Sequence, residues 1–263
     1  LGHLNLSSTG LLPCDVDVLS DGIRSCKHLE TLQLSRNHVG EASVRLAQAL
    51  RCFPKLTTLC LSQANLGNNG VDVLAKSFAF MRNLIGLDIS ENAVSFKGVY
   101  KMSLSLHHLL RLSILNLCTN PIGVLGMLAL CDSFKGIPNL TTLYLNNCEL
   151  SPPAALLLAL SFQFLPNLRR LDVAHNKQMG SEGAGWLLES VGDAKNLIKI
   201  DLSGCNLMDW HDGGDSIEQM VEIGEGDAKR VLSIRTTGGS IETAISKLPG
   251  CRRRYAGYIL FRP

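Results

Sequence analysis

Histidine, cysteine, serine and carboxylate side chains do most protein chemistry, and each reaction needs them at a definite spacing. The seven histidines are His3, His28, His38, His107, His108, His175 and His211. No two of them form the H-x-x-x-H pair that sets two imidazoles one helical turn apart on zinc. No G-x-S-x-G places a serine on a strand-to-helix elbow. The nine cysteines include no C-x-x-C pair, and with no signal peptide they read as free buried thiols in a reducing compartment. That reading predicts a cytoplasmic location. Asp209, Asp212 and Asp215 approach a calcium loop, but the spacing is not D-x-D-x-D-G and no glutamate occupies the twelfth place. Thr236 to Ser240 could cradle a phosphate near Arg235 on backbone amides; the run lacks G-x-x-x-x-G-K-[ST] and reads as a turn. Arg252-Arg253-Arg254 lacks interleaved aromatics and reads as a solvated patch or a contact for an acidic partner. The chain is therefore predicted to have no catalytic, cofactor-binding or metal-binding residues, and not to be an enzyme.

Composition narrows the class further. Of the 263 residues 46% are hydrophobic and 18% charged, with a formal charge of +2. Enough apolar surface is present to offset chain entropy, and near-neutrality points away from nucleic acid as a partner. The longest apolar run, Pro152 to Phe164, is interrupted by Ser161 and Gln163 and is too short to span a bilayer.

What positions these residues is a repeat. Of 47 leucines, 44 fall at or before Leu207. The segment Leu29-Glu-Thr-Leu32-Gln-Leu34-Ser-Arg-Asn37-His-Val39-Gly40 has counterparts starting at Leu1, Leu56, Leu84, Leu112, Leu140, Leu168 and Leu197. The intervals are 28, 27, 28, 28, 28, 28 and 29 residues. In L-x-x-L-x-L the last two leucines stand two apart, which is strand periodicity. In the second half of each unit the apolar residues move to helical spacing, as in Val71, Leu74, Ala75 and Phe78. A strand, a helix and another strand with no room for a hairpin require a right-handed parallel crossover.

The pattern LxxLxLxx(N/C)xL at this period resembles the ribonuclease-inhibitor-like class of leucine-rich repeats over residues 1–207. The resemblance implies an α/β solenoid, a horseshoe with parallel inner strands, outer helices and a degenerate C-terminal cap. Position nine carries Thr9, Asn37, Ala64, Asn92, Asn120, Cys148, Asn176 and Cys205. A buried asparagine there can satisfy loop amides and carbonyls as a ladder, and cysteine can replace it as a small weak donor. At Ala64, the neighbouring Asn65 is expected to take over the role. A one-residue bulge is expected at Asn176 to Gly180, and Pro152-Pro153 fits the first turn of a helix.

The register also predicts the inner face, at positions three, five and seven. No nucleophile, base and orienting acid line up along it. Short polar side chains dominate early units; Tyr144, Asn146, Arg170, Asp172, His175, Lys199 and Asp201 gather late. This group is the predicted contact for another protein. A second reading stays open, in which Arg170 with Asp172 and Lys199 with Asp201 pair across strands as solvated charges.

Residues 208–263 break the pattern and read as an acidic loop and a capping segment. Seven acidic residues lie between Asp209 and Asp227, and eight basic ones from Lys229 onward. Val231 to Ile234 is predicted as a strand, Ile241 to Leu248 as a helix and Tyr255 to Phe261 as a closing strand, which would cover the last apolar layer. Leu1 stands inside a repeat, which predicts a piece of a longer protein. The resemblance implies a non-catalytic protein-interaction scaffold. The ligand-sensing end of a NOD-like innate immune receptor is the first alternative and a GTPase-activating regulator the second.

Overall fold

The computed structural model describes residues 1–207 and the strands Ser216–Ile223, Arg230–Thr237 and Ile259–Leu260. Each L-x-x-L-x-L segment forms a three-residue strand: β1 His3–Asn5, β2 Thr31–Gln33, β3 Thr58–Cys60, β4 Gly86–Asp88, β5 Ile114–Asn116, β6 Thr142–Tyr144, β7 Arg170–Asp172 and β8 Lys199–Asp201. Helices follow the first seven: α1 Pro13–Ile23, α2 Ser43–Leu50, α3 Gly67–Ala75, α4 Phe96–Leu106, α5 Gly123–Ser133, α6 Pro152–Ser161 and α7 Gly180–Glu189. None of the described helices is long and apolar enough to cross a membrane.

The strands pair in chain order, all parallel, and equal repeat positions face each other: Thr31 opposite Thr58, Thr58 opposite Gly86, Thr142 opposite Arg170. Leucines at positions four and six, such as Leu32, Leu34, Leu115 and Leu117, are fully buried between this sheet and the helices. Position eight then turns the chain. Ser8, Arg36, Gln63, Glu91, Thr119, Asn147, His175 and Gly204 all have φ between 51° and 69°. A non-glycine residue there costs about 1–2 kcal/mol. The turn is held because its N–H donates to the position-seven carbonyl of the next unit, as Arg36 does to Ser62 at 2.8 Å and Thr119 to Asn146 at 2.8 Å.

The position-nine ladder forms. Asn92 Nδ2 donates to the carbonyls of Leu61, Ile89 and Ser90 at 2.7, 3.0 and 2.8 Å, and its Oδ1 accepts from Ala64 N and Leu66 N. Asn37, Asn120 and Asn176 repeat the scheme. In the first unit Thr9 Oγ1 donates to Leu6 O at 2.7 Å. Cys148 Sγ donates to Leu117 O at 3.2 Å and Cys205 Sγ to Val173 O at 3.2 Å. Burial pushes both thiols up to about 12, so they stay protonated as donors.

Ala64 is handled differently from the expectation. Asn65 does not substitute; the Ala64 carbonyl itself accepts from Val39 N and Gly40 N at 3.0 and 3.1 Å. The shorter unit draws its loop so close that a Cβ on Gly40 would lie 1.9 Å from Asn65 O, so only glycine fits at that position. In the seventh unit the extra residue is absorbed at Lys177 and Gln178, which lie exposed, and Met179 still reaches full burial. Pro152 and Pro153 open α6.

Beyond the eighth repeat, β10 (Arg230–Thr237) pairs with β8 in parallel, Ile234 opposite Ile200, and is the ninth parallel strand of the sheet. It is longer than the four residues read from the sequence. Part of the segment read as an acidic loop is strand: β9 (Ser216–Ile223) pairs antiparallel with β10, and β11 (Ile259–Leu260) antiparallel with β9. Its acidic residues alternate with Ile217, Val221 and Ile223, a strand pattern that the charge count concealed. Thr236 and Thr237, read as the start of a turn, continue β10. The helix read over residues 241–248 lies outside the described residues.

Candidate functional site

The late inner face is built on β6, β7, β8 and β10, which lie side by side. Strand spacing of about 4.8 Å makes residues of one column direct neighbours. Register places Arg170 beside Lys199, and sets Tyr144, Asp172, Asp201 and Arg235 in one row. Tyr144, Arg170, Leu171, Asp172, Lys199 and Asp201 line one open depression of about 220 Å3.

Two predicted residues are elsewhere. Asn146 and His175 line a separate depression of about 470 Å3 together with Thr119, Asn147, Glu149 and Lys177. The reason is local. At positions seven and eight the strand has ended, and the left-handed turn at His175, φ 57°, carries that side chain to the rim. The seven predicted residues thus divide five and two between the floor of the concave face and its edge.

Like charges stand side by side in the floor. Arg235 Nη1 approaches Asp201 Oδ2 at 3.8 Å, a carboxylate–cation contact supplied from outside the eight repeats. Neither Arg170 with Asp172 nor Lys199 with Asp201 comes within ion-pair distance, so the reading in which these pairs neutralise each other is not realised. Burial raises the carboxyl of Asp172 above its ordinary range, and neighbouring Asp201 raises it further. The Ala174 amide, His175 and Arg235 act in the opposite direction.

Sequence reasoning missed three features here. First, position five has a structural role, in which Asn5, Asp88, Asn116, Asp172 and Asp201 each accept a hydrogen bond from the backbone N–H two residues on, at 2.9–3.1 Å. The recurrence of Asn or Asp in that column was the available signal. Second, Arg235 extends the charged row, from a strand whose offset from β8 departs from the repeat period. Third, asparagines immediately before the first leucine clip neighbouring units on the side where the chain enters the strands. Asn83, Asn139, Asn167 and Asn196 donate to the carbonyls of Pro54, Leu110, Pro138 and Pro166 at 2.6–3.1 Å. Among the described residues no three His, Cys, Asp or Glu side chains are grouped to hold a metal ion.

Comparison with known proteins agrees with this architecture. Leucine-rich repeat family models match residues 25–44 and 164–185, and residues 139–158. FERM domain-containing protein C of Dictyostelium discoideum is 32% identical over 100 residues, which is 37% of this chain and 7% of that protein. Ribonuclease inhibitor of Sus scrofa is 39% identical over 82 residues, 30% of this chain and 18% of that protein. The matches therefore span under a fifth of the length of these curated relatives. Leucine-rich repeats indicate a protein-interaction module. Eight units of 27–29 residues, the asparagine and cysteine ladder and these matches support a ribonuclease-inhibitor-like leucine-rich repeat family.

Proposed function

We propose that the chain is a non-catalytic scaffold that holds a protein partner on the late part of its concave face, as a module of a larger protein or assembly. The observation that carries this is the row structure of the floor. Arg170 stands beside Lys199, and Asp172 beside Asp201, with Tyr144 at the boundary. Like charges directly opposite on adjacent strands oppose folding, and a cationic group from a bound segment placed beside Asp172 would relieve its repulsion from Asp201. Tyr144 supplies the aromatic surface that interface centres favour. The similarity to a ribonuclease inhibitor, named for binding another protein, supports the same reading.

A photo-crosslinking residue at position 144 tests it, in extract from the source cells. The expected result is one or a few discrete protein adducts that disappear when Arg170→Glu is added, with the thermal midpoint not lowered, because Arg170 is exposed and the change removes a like-charge contact with Lys199. Adducts that persist with Arg170→Glu, or that match those from a crosslinker on the convex helices, would refute the placement. Asp172 is unsuited to truncation as a test, because its loss also releases the Ala174 amide.

A further inference from the structure

The convex face carries a feature that partner binding in the concave face leaves unexplained. A helix on the outside of a solenoid normally shows water a polar face. The helices α5 (GVLGMLALCDS) and α6 (PPAALLLALS) scarcely have one. Leu125 and Leu128 are 58% and 45% exposed, Leu156 and Leu160 36% and 58%, and on adjacent α4 Tyr100 and Leu104 are 52% and 56%. About half open, six such side chains leave on the order of 500–600 Å2 of contiguous apolar surface, the upper end of what monomers show. That is roughly two thirds of the ~800 Å2 each partner buries in a standard interface.

Charge brackets the patch asymmetrically. On one side α4 exposes Lys97 and Lys101; on the other α7 exposes Glu182 and Glu189. The four helices pack in the order α4, α5, α6, α7 and all run the same way, because every strand that feeds them is parallel.

We propose that this face binds a second copy of the chain, as a two-fold dimer with its axis between α5 and α6. A rotation about that axis, which runs along the helices, reverses their order and keeps their direction. Each α5 then lies over the α6 of the second copy, bringing Leu125 to Leu156 and Leu128 to Leu160. The same rotation lays the basic α4 over the acidic α7 and sets Lys97 against the end that carries Glu182. One surface is thus complementary to itself in both shape and charge, as a closed two-fold contact requires. The concave faces point outward and stay open.

Sedimentation velocity on the full chain tests the proposal. The wild type is expected to dimerise at micromolar concentration, and Leu128→Glu to be a monomer with an unchanged far-ultraviolet spectrum. Lys97→Glu and Glu182→Lys should each weaken self-association at least tenfold. Mixed together, the two should form a heterodimer of near wild-type affinity, because both α4–α7 contacts regain opposite charges. A wild type that stays monomeric at tens of micromolar, whatever else it binds there, overturns the proposal. So does a dimer that survives Leu128→Glu, or a mixture that does not recover. None of these results depends on whether the concave-face reading holds.

Discussion

Asn120→Ala isolates what the ladder contributes. The Asn120 side chain is buried, with 1% of its surface exposed. Its Nδ2 donates to the carbonyls of Ile89, Leu117 and Cys118 at 3.1, 2.9 and 3.3 Å, and its Oδ1 accepts from Asn92 N and Val94 N at 3.1 and 3.0 Å. Truncation affects the two sides unequally. Each carbonyl keeps another donor: Asn92 Nδ2 for Ile89, Cys148 Sγ for Leu117 and Glu91 N for Cys118. The two amides have no such reserve and become buried, unpaired donors. At about 1–3 kcal/mol for each orphaned group the total is about 2–6 kcal/mol. Because a solenoid's stability is a sum over neighbouring units, the loss belongs to the junction of the fourth and fifth repeats. Native-state hydrogen exchange reads it locally: amide protection at Asn92 and Val94 should fall by roughly 30- to 20,000-fold, at tenfold per 1.4 kcal/mol. Urea unfolding followed by circular dichroism gives the global change. Asn120→Cys should not recover this loss, because the thiols of Cys148 and Cys205 donate to carbonyls from this position, whereas the orphaned groups are amides that need an acceptor. An alanine variant within about 0.5 kcal/mol of wild type would refute the accounting, as would exchange that quickens no more at Asn92 and Val94 than in the seventh unit.

Two further predictions concern helix contacts and pH. Gly126→Ala on α5 puts a Cβ 2.4 Å from Ile122 Cγ2 and 3.3 Å from Phe96 Cα, and urea unfolding should show a loss of about 1–3 kcal/mol from overpacking. Gly22→Ala near the end of α1 meets nothing within 4 Å and should instead gain up to about 1 kcal/mol, so equal effects at the two sites would sink the contact argument. Asp172 has a carboxyl pKa raised in the folded chain. Its protonated form is favoured by folding, so its contribution is full below the unfolded value of about 3.9 and is lost as pH rises through the folded value. Asp172→Asn keeps the acceptor for Ala174 N, as Asn5 and Asn116 do in the same column. The stability of the variant relative to wild type should therefore increase with pH across that window; a flat or falling difference in urea midpoint contradicts the sign.

The fold was legible because period and register determine it. Once the leucines of position four are known to stack, parallel strands and equal-position columns follow from crossover geometry, and the pairing of Thr31, Thr58 and Gly86 is that result. Two kinds of detail were not legible. The left-handed turn at position eight shows no common residue type, since Ser8, Arg36, Gln63, Glu91, Thr119, Asn147 and His175 all occupy it. Backbone hydrogen bonds to the next unit, not side-chain preference, hold that conformation, so composition carries no trace of it. The strands after the eighth repeat break the period, and with it the arithmetic that located the others.

The site was legible to a lesser degree for a related reason. Register identifies which residues are neighbours, and it placed five of the seven in one depression. It does not say which of them the fold itself employs. Asp172 and Asp201 look identical to free surface carboxylates in the sequence, yet each has one oxygen committed to a backbone amide two residues on. The remaining oxygens differ: Asp201 Oδ2 faces Arg235, while burial and Asp201 together disfavour charge on Asp172. A cationic group from a partner would therefore gain most beside Asp172, where no described cation reaches ion-pair distance and the carboxylate is least stable alone. The late concave face is thus graded: Arg235 of β10 contacts Asp201 at its far end, and under the proposed scaffold function a partner's cation would sit at its near end, beside Tyr144 and Asp172.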